Sequence, residues 1–164
     1  MTEPSPLALH HEPVRSEWID YNGHMNVAYY VLAFDHATDA FLDYLGLDDA
    51  HRRETGGSTF AAESHVNYLR EVHEGDPLRF TTQLLDYDEK KVHFFHHMHH
   101  AEEGYLAATS EWLTLYIDLN VRRVSAMPGF VQDRLAAIWE THRTLARPEQ
   151  AGRSISIAGK KRVS

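Results

Sequence analysis

Asp20-Tyr21-Asn22-Gly23-His24-Met25-Asn26, followed at once by Val27-Ala28-Tyr29-Tyr30-Val31-Leu32-Ala33-Phe34-Asp35, is the stretch on which the reading of this chain turns. Its first seven residues hold a carboxylate, an imidazole, two side-chain amides and a glycine, a set that few folding needs explain. Beyond Asn26, apolar side chains fall at Val27, Tyr30, Val31, Phe34, Ala37, Phe41 and Leu45, the three-and-four spacing of an amphipathic helix. At about 1.5 Å per residue such a helix is ~30 Å long, enough to cross a small domain. Asn26 suits its N-cap and Gly46 its stop. Asp35, Asp39 and Asp43, four apart, form a stripe expected to face water or a subunit partner. The polar segment thus sits at a helix N-terminus, where unpaired backbone N–H groups and the positive dipole end favour an oxygen that gains negative charge.

Working outward, 164 residues with 43% apolar content fit one globular domain. The chain has no cysteine, hence no disulfide framework and no thiolate nucleophile or metal ligand. No segment reads as a signal peptide or approaches the ~20 apolar residues of a membrane span, so the expected compartment is the cytoplasm and no membrane partner is expected. A net charge of −8 argues against generic nucleic-acid binding, which needs cations to displace the counterions on phosphate.

Residues 1–9 read as an N-terminal arm, and His10 to Ile19 as a strand leading into the polar segment. After the helix, 48–58 is a polar connection with room for one helical turn. From Thr59 the period changes to two: strands are expected over 59–70, 78–84, 92–101 and 105–121, with turn chemistry at Glu74-Gly75-Asp76-Pro77 and Glu102-Glu103-Gly104. Pro128 opens a last helix, and residues 147–164 form a basic, partly ordered tail. The domain therefore spans 10–146 and is α+β: an antiparallel sheet of about five strands wrapped around one long helix, with an extra C-terminal helix. One helix covers only part of one face of such a sheet, so self-association as a homodimer or homotetramer is expected.

The motif Asp20-x-x-Gly23-His24-x-Asn26-x-x-x-Tyr30, then Phe34-Asp35-x-Ala37, with Tyr68-Leu69-x-Glu71-x-x-x-Gly75-Asp76 further on, resembles the hotdog-fold acyl-CoA thioesterases of the 4-hydroxybenzoyl-CoA thioesterase-like group. The likeness extends over roughly residues 12 to 120 and is similar most of all to small thioesterases of carnitine breakdown, which hydrolyse betainyl-CoA. The chain departs from the common pattern at Trp18, where many relatives have a second carboxylate, at Val27, where a second asparagine is common, and at Asp35, where glutamate is usual.

The resemblance implies hydrolysis of a short polar acyl-CoA, with coenzyme A entering only as part of the substrate and no separate cofactor or metal. Asp20 is then the nucleophile or the general base on water, two roles that the sequence leaves open. The backbone N–H groups of Asn26 and Val27 are oxyanion donors, Gly23 lets the thioester approach, His24 polarises the carbonyl or orients water, and Asn26 holds its neighbours. Trp18 and Tyr21 flank Asp20 and are candidates for a box around a quaternary ammonium group. Glu63 and Asn67, four apart on one strand face, are further substrate-binding candidates because that strand borders the site in hotdog dimers. Arg52, Arg53, Arg70, Lys90 and Lys91 are possible partners of the CoA phosphates. The cluster His93, His96, His97, His99 and His100 invites a metal reading, but alternation points His93, His97 and His99 one way and His96 and His100 the other, so a polar sheet face or subunit contact is expected instead. Two other activities fit the fold: hydration or dehydration of an acyl thioester, which releases no thiol, and non-catalytic acyl-CoA binding, which would not need Asp20.

Overall fold

The structure, a computed structural model, describes residues 3–159. Its long helix α1 runs Val27–Leu45 between the two caps read from the sequence: the Asn26 side chain accepts from the Ala28 N–H, and Gly46 takes a left-handed φ of 88°. One face of α1 carries Tyr30, Ala33, Phe34, Ala37, Phe41 and Leu45 into the core, and Asp35, Asp39 and Asp43 stay exposed on the other. A short helix, α2, follows at Asp49–Thr55, filling the expected polar connection.

The strands are β1 (Leu7–Pro13), β2 (Gly57–Tyr68), β3 (Pro77–Tyr87), β4 (Lys91–His100), β5 (Leu106–Asp118) and the two-residue β6 (Arg123–Val124); helix α3 is Gly129–His142. They form one antiparallel sheet in the order β1-β3-β4-β5-β2, with β6 beside the end of β5. This is the hotdog-like α+β architecture: the sheet curls around α1, and α3 closes one end. The run β3-β4-β5 is a meander of neighbours, whereas β1 meets β3 only after the chain has passed through the helices and β2, and β2 meets β5 only after β3 and β4. Alternate residues Phe80, Phe94, Met98 and Trp112 meet Phe34 and Phe41 of α1; each such side chain, fully buried, contributes about 1.5–3 kcal/mol.

Expectations at the two ends of the chain are corrected, and one for β4 holds. The first strand begins at Leu7 and stops at Pro13, so the N-terminal arm is shorter than residues 1–9; a 3-10 turn at Ser16–Trp18 replaces its second half, because proline cannot donate to a ladder. The C-terminal segment is tied down as far as Gly152: Gln83 Nε2 donates to Ala146 O, Ala151 packs on Leu85 and Phe95, and the Gly152 N–H donates to Glu111 Oε1. The basic tail read from the sequence runs on through residues 160–164, which lie outside the described residues. The histidines of β4 divide as alternation requires, with His96 and His100 buried on the α1 side and His93, His97 and His99 on the outer face.

His96 is fully buried and its bonding assigns its tautomer. Thr38 Oγ1 donates to Phe34 O (3.0 Å), so it must accept from His96 Nε2–H (2.9 Å), which leaves Nδ1 to accept from Thr82 Oγ1 (2.9 Å). Burial, with smaller repulsion from His97 and His10, pushes its pKa down to about 3. It is a neutral core linker between helix and sheet, not a ligand.

Candidate active site

The polar segment is folded by backbone bonds as a tight loop that returns to the start of α1. Gly23 N–H donates to Asp20 O, Asp20 N–H to His24 O, and Met25 N–H to Val72 O, while Ile19 and Met25 form an antiparallel bridge. Gly23 sits at φ +82° with open space where a Cβ would point, so backbone conformation requires the glycine here. The Asp20 carboxylate is half-buried: Oδ1 accepts from the Asn22 N–H at 2.8 Å and Oδ2 from Asn26 Nδ2 at 3.3 Å. Asn26 thus joins Asp20 to the helix cap, with its Oδ1 on the Ala28 N–H at 3.0 Å.

At the helix N-terminus the four leading N–H groups are orphans by construction. Ala28 N–H is taken by Asn26 Oδ1 and Tyr29 N–H by Asn26 O, but the Val27 N–H has no hydrogen-bond partner among the described residues. Asn26 N–H is not available: it donates to Trp18 O at 2.9 Å, which corrects the expectation that it serves an oxyanion. Val27 lines a cleft of about 200 Å³ with His24, Met25, Tyr30, Tyr68 and the segment Leu69-Arg70-Glu71. His24 Nε2 lies 3.8 Å from a Glu71 carboxylate oxygen, and its Nδ1 lies 3.3 Å from Met25 O. Tyr68 OH donates to Val27 O at 3.4 Å, its ring meeting that of Tyr30 edge to face. Burial pushes the phenol pKa values of Tyr30 and Tyr68 up, so both remain neutral hydroxyls. Neither Asp20 nor Asn26 is among the lining residues; the Asp20 carboxylate is bonded to the side chain of Asn26, the residue just before Val27 of the cleft wall.

The other candidates scatter. Trp18 is 3% exposed and stacked on Tyr29 at 5.9 Å, with Arg15 over its ring; it is core, and the proposed box around a quaternary ammonium loses one wall. Tyr21 is 97% exposed and touches nothing in the cleft. Glu63 and Asn67 lie on the outer sheet face, paired with Leu113 and Thr109 of β5, on the side away from α1. Of the five cations read as CoA partners, Arg70 alone among the described residues lines the cleft, stacked 3.9 Å over Tyr105, while Arg52 and Arg53 pair with Asp49. A larger depression of about 410 Å³ lies on the outer face among Glu63, His65, His93, Glu111 and Arg153. Volume does not make it the active site: its lining comes from strands β2, β4 and β5 and the C-terminal segment, away from the start of α1, and its Glu111 is already bonded to His93 and the Gly152 N–H.

Sequence reading missed Tyr68 and Glu71 as cleft residues in their own right. Their signal was present in the Tyr68-Leu69-x-Glu71 motif, but only the pairing of β2 with β5 brings that strand end against the start of α1.

With this geometry established, three comparisons bear on what the cleft does. The sequence profile of the thioesterase-like superfamily matches residues 14–135. The betainyl-CoA thioesterase of Pseudomonas aeruginosa is 40% identical over 92% of this chain and 95% of its own length. The L-carnitine dehydrogenase/betainyl-CoA thioesterase of Rhizobium meliloti is 38% identical over 92% of this chain, which spans 30% of that longer protein. Among solved structures, SAV2348 of Staphylococcus aureus, determined in complex with CoA, superposes with a TM-score of 0.87 at 33% identity over 93% of this chain and 96% of its own.

Proposed function

The chain belongs to the thioesterase-like superfamily and is a thioester hydrolase, and from that premise we propose that it hydrolyses betainyl-CoA to betaine and free coenzyme A. The observation that carries the chemistry is the N–H of Val27, without a partner among the described residues, at the start of a 19-residue helix, on a residue that lines the same cleft as His24 and follows Asn26, whose side chain bonds Asp20. The thioester oxygen accepts from Val27 N–H, where the helix dipole strengthens the donor. The thioester carbon is held at the helix start beside the half-buried Asp20 carboxylate, which Asn26 orients and which takes a proton from a water between the two as the water oxygen bonds to the carbonyl carbon. The tetrahedral intermediate collapses by breaking the C–S bond, and the thiolate leaves as CoA and is protonated. In the covalent variant Asp20 attacks the carbon itself and water cleaves the resulting anhydride; single-turnover hydrolysis in ¹⁸O-water, with mass analysis of Asp20, separates the two.

The choice of acyl group is supported by the likeness to the Pseudomonas enzyme over nearly the whole of both chains. It is also supported by the cleft's own chemistry: the Tyr30 and Tyr68 rings and the Glu71 carboxylate suit a cationic head group. Such a substrate puts the reaction in the cytoplasm, where CoA thioesters are made. Thiol release is measured across a panel of acyl-CoAs with wild type and Asp20→Asn. Betainyl-CoA is expected to be preferred, and Asp20→Asn to lose ~10²–10⁴ in turnover. An active Asp20→Asn removes the assigned role, and a preference for straight-chain acyl groups removes the substrate.

The assembly we propose is a homodimer through β2. That strand is a 12-residue free edge of the sheet, exposed from Phe60 to Ser64, with Phe60 46% exposed and Glu63 its one carboxylate. The opposite edge, β1, is seven residues long and ends in proline. Long edges with an exposed aromatic and little charge pair. Light scattering on the eluting protein is expected to give twice the chain mass, and Phe60→Glu with Ala62→Lys to give the monomer.

A further inference from the structure

We propose that His10, Glu12 and His36 form a binding site for one divalent metal ion, of which zinc(II) fits best, clamping β1 to α1. His10 and Glu12 are two apart on β1 and face inward, opposite Phe80 and Leu78 of β3. His36 comes from α1, 24 residues further on, to meet them. Glu12 Oε1 lies 2.8 Å from His36 Nδ1 and 3.1 Å from His10 Nε2. One ligand atom from each residue lies within 4.8 Å of the others, and no other group of three such side chains does so among the described residues.

Bonds of ~2.0–2.2 Å around a tetrahedral ion set its ligands ~3.3–3.5 Å apart, so the two contacts of Glu12, at 2.8 and 3.1 Å, need to open by only a few tenths of an ångström. Two imidazole nitrogens and one carboxylate oxygen suit zinc and its first-row neighbours rather than calcium or magnesium, which take oxygen ligands. The surroundings are those of a built site. The Glu12 side chain is 7% exposed, the Phe80 ring stands 5.2 Å from His10, and the Trp18 ring stands 6.5 Å from His36. His10 and His36 keep 23% and 31% of their side-chain surface open, a route for the ion and for water as its fourth ligand. A carboxylate this buried needs a positive partner, and a dication bound by two neutral imidazoles supplies one without relying on imidazole protons. None of the three lines the catalytic cleft, so the clamp stabilises the fold rather than taking part in hydrolysis.

The full chain, stripped with chelator, is titrated with zinc(II) by calorimetry, and with cobalt(II) to read the ligand-field spectrum. One equivalent is expected to bind, with Tm raised by roughly 5–10 °C at free metal about 100 times Kd. Glu12→Gln keeps shape and one acceptor oxygen, and is expected to weaken binding more than ~100-fold, as is His36→Ala. His97→Ala, on the outer face, is expected to bind as wild type does. Thiol release by Glu12→Gln at the wild-type rate establishes that it is folded. Absence of uptake by wild type overturns the proposal, as does uptake unchanged in folded Glu12→Gln.

Discussion

Helix α1 treats polar side chains oppositely in its middle and at its N-terminus. In its middle, Thr38 joins His96 and Thr82 in a chain whose donors and acceptors are matched one to one, sealed between Phe34 and Phe94. At its N-terminus, Asp20, His24 and Asn26 gather more polar atoms, yet the N–H of Val27, a residue of the cleft wall, is left without a partner among the described residues. The contrast teaches that a cluster acts on a substrate through the bonding capacity it leaves unspent. A closed network fixes the core, and an open one, held by its neighbours, has a donor in place before the charge appears.

The sharpest way to break this comparison is to remove the unspent donor and nothing else. Val27 is the first residue of α1, where proline's missing N–H and fixed φ are tolerated, and Asn26 already has the extended conformation (φ −66°, ψ 146°) that a following proline demands. Val27→Pro is expected to keep the fold and lower kcat by ~10²–10³, or ~3–4 kcal/mol on the barrier. Steady-state thiol release beside a melting curve checks it, and full activity would mean that the oxyanion is held elsewhere.

At the closed network the expected effect is on stability. His96→Leu strands the Thr82 hydroxyl and is expected to cost about 1–3 kcal/mol in denaturant unfolding, with kcat of the folded protein near wild type. A loss of turnover exceeding the loss of folded protein would make the two regions one.

A smaller effect follows from pH. Burial lowers the pKa of His96 to about 3 and, with repulsion from His99, that of His97 to about 4, against 6.5 in the unfolded chain. The unfolded state then binds more protons below pH 6.5, so stability is full above that value and falls as pH drops toward the folded pKa values. The slope is at most ~1.4 kcal/mol per pH unit for each histidine. Tm measured from pH 7.5 to 4.5 is expected to decline below 6.5, less steeply in His96→Leu. A flat profile would mean that His96 is protonated in the fold.

Much of this was readable in advance where neighbours in sequence are neighbours in space. The bounds of α1 follow from a side-chain cap and a left-handed glycine, both local, and the division of the β4 histidines follows from alternation alone. Trp18 was misread because its burial depends on Tyr29 and His36, which reach it only after the chain has turned into the helix. The Asn26 N–H was misread for a similar reason, its acceptor being a carbonyl eight residues back across a loop.

The sequence by itself determined the helix, its polar start, the strand periodicity and, through its motifs, the family. Those properties depend on spacing along the chain. Only the tertiary structure decided which donor remained free, that Tyr68 and Glu71 border it, that Glu63 and Asn67 face the other way, and that His10, Glu12 and His36 converge. These depend on pairing between segments tens of residues apart, where a register shift of one residue turns a side chain to the opposite face, and no local pattern carries that register.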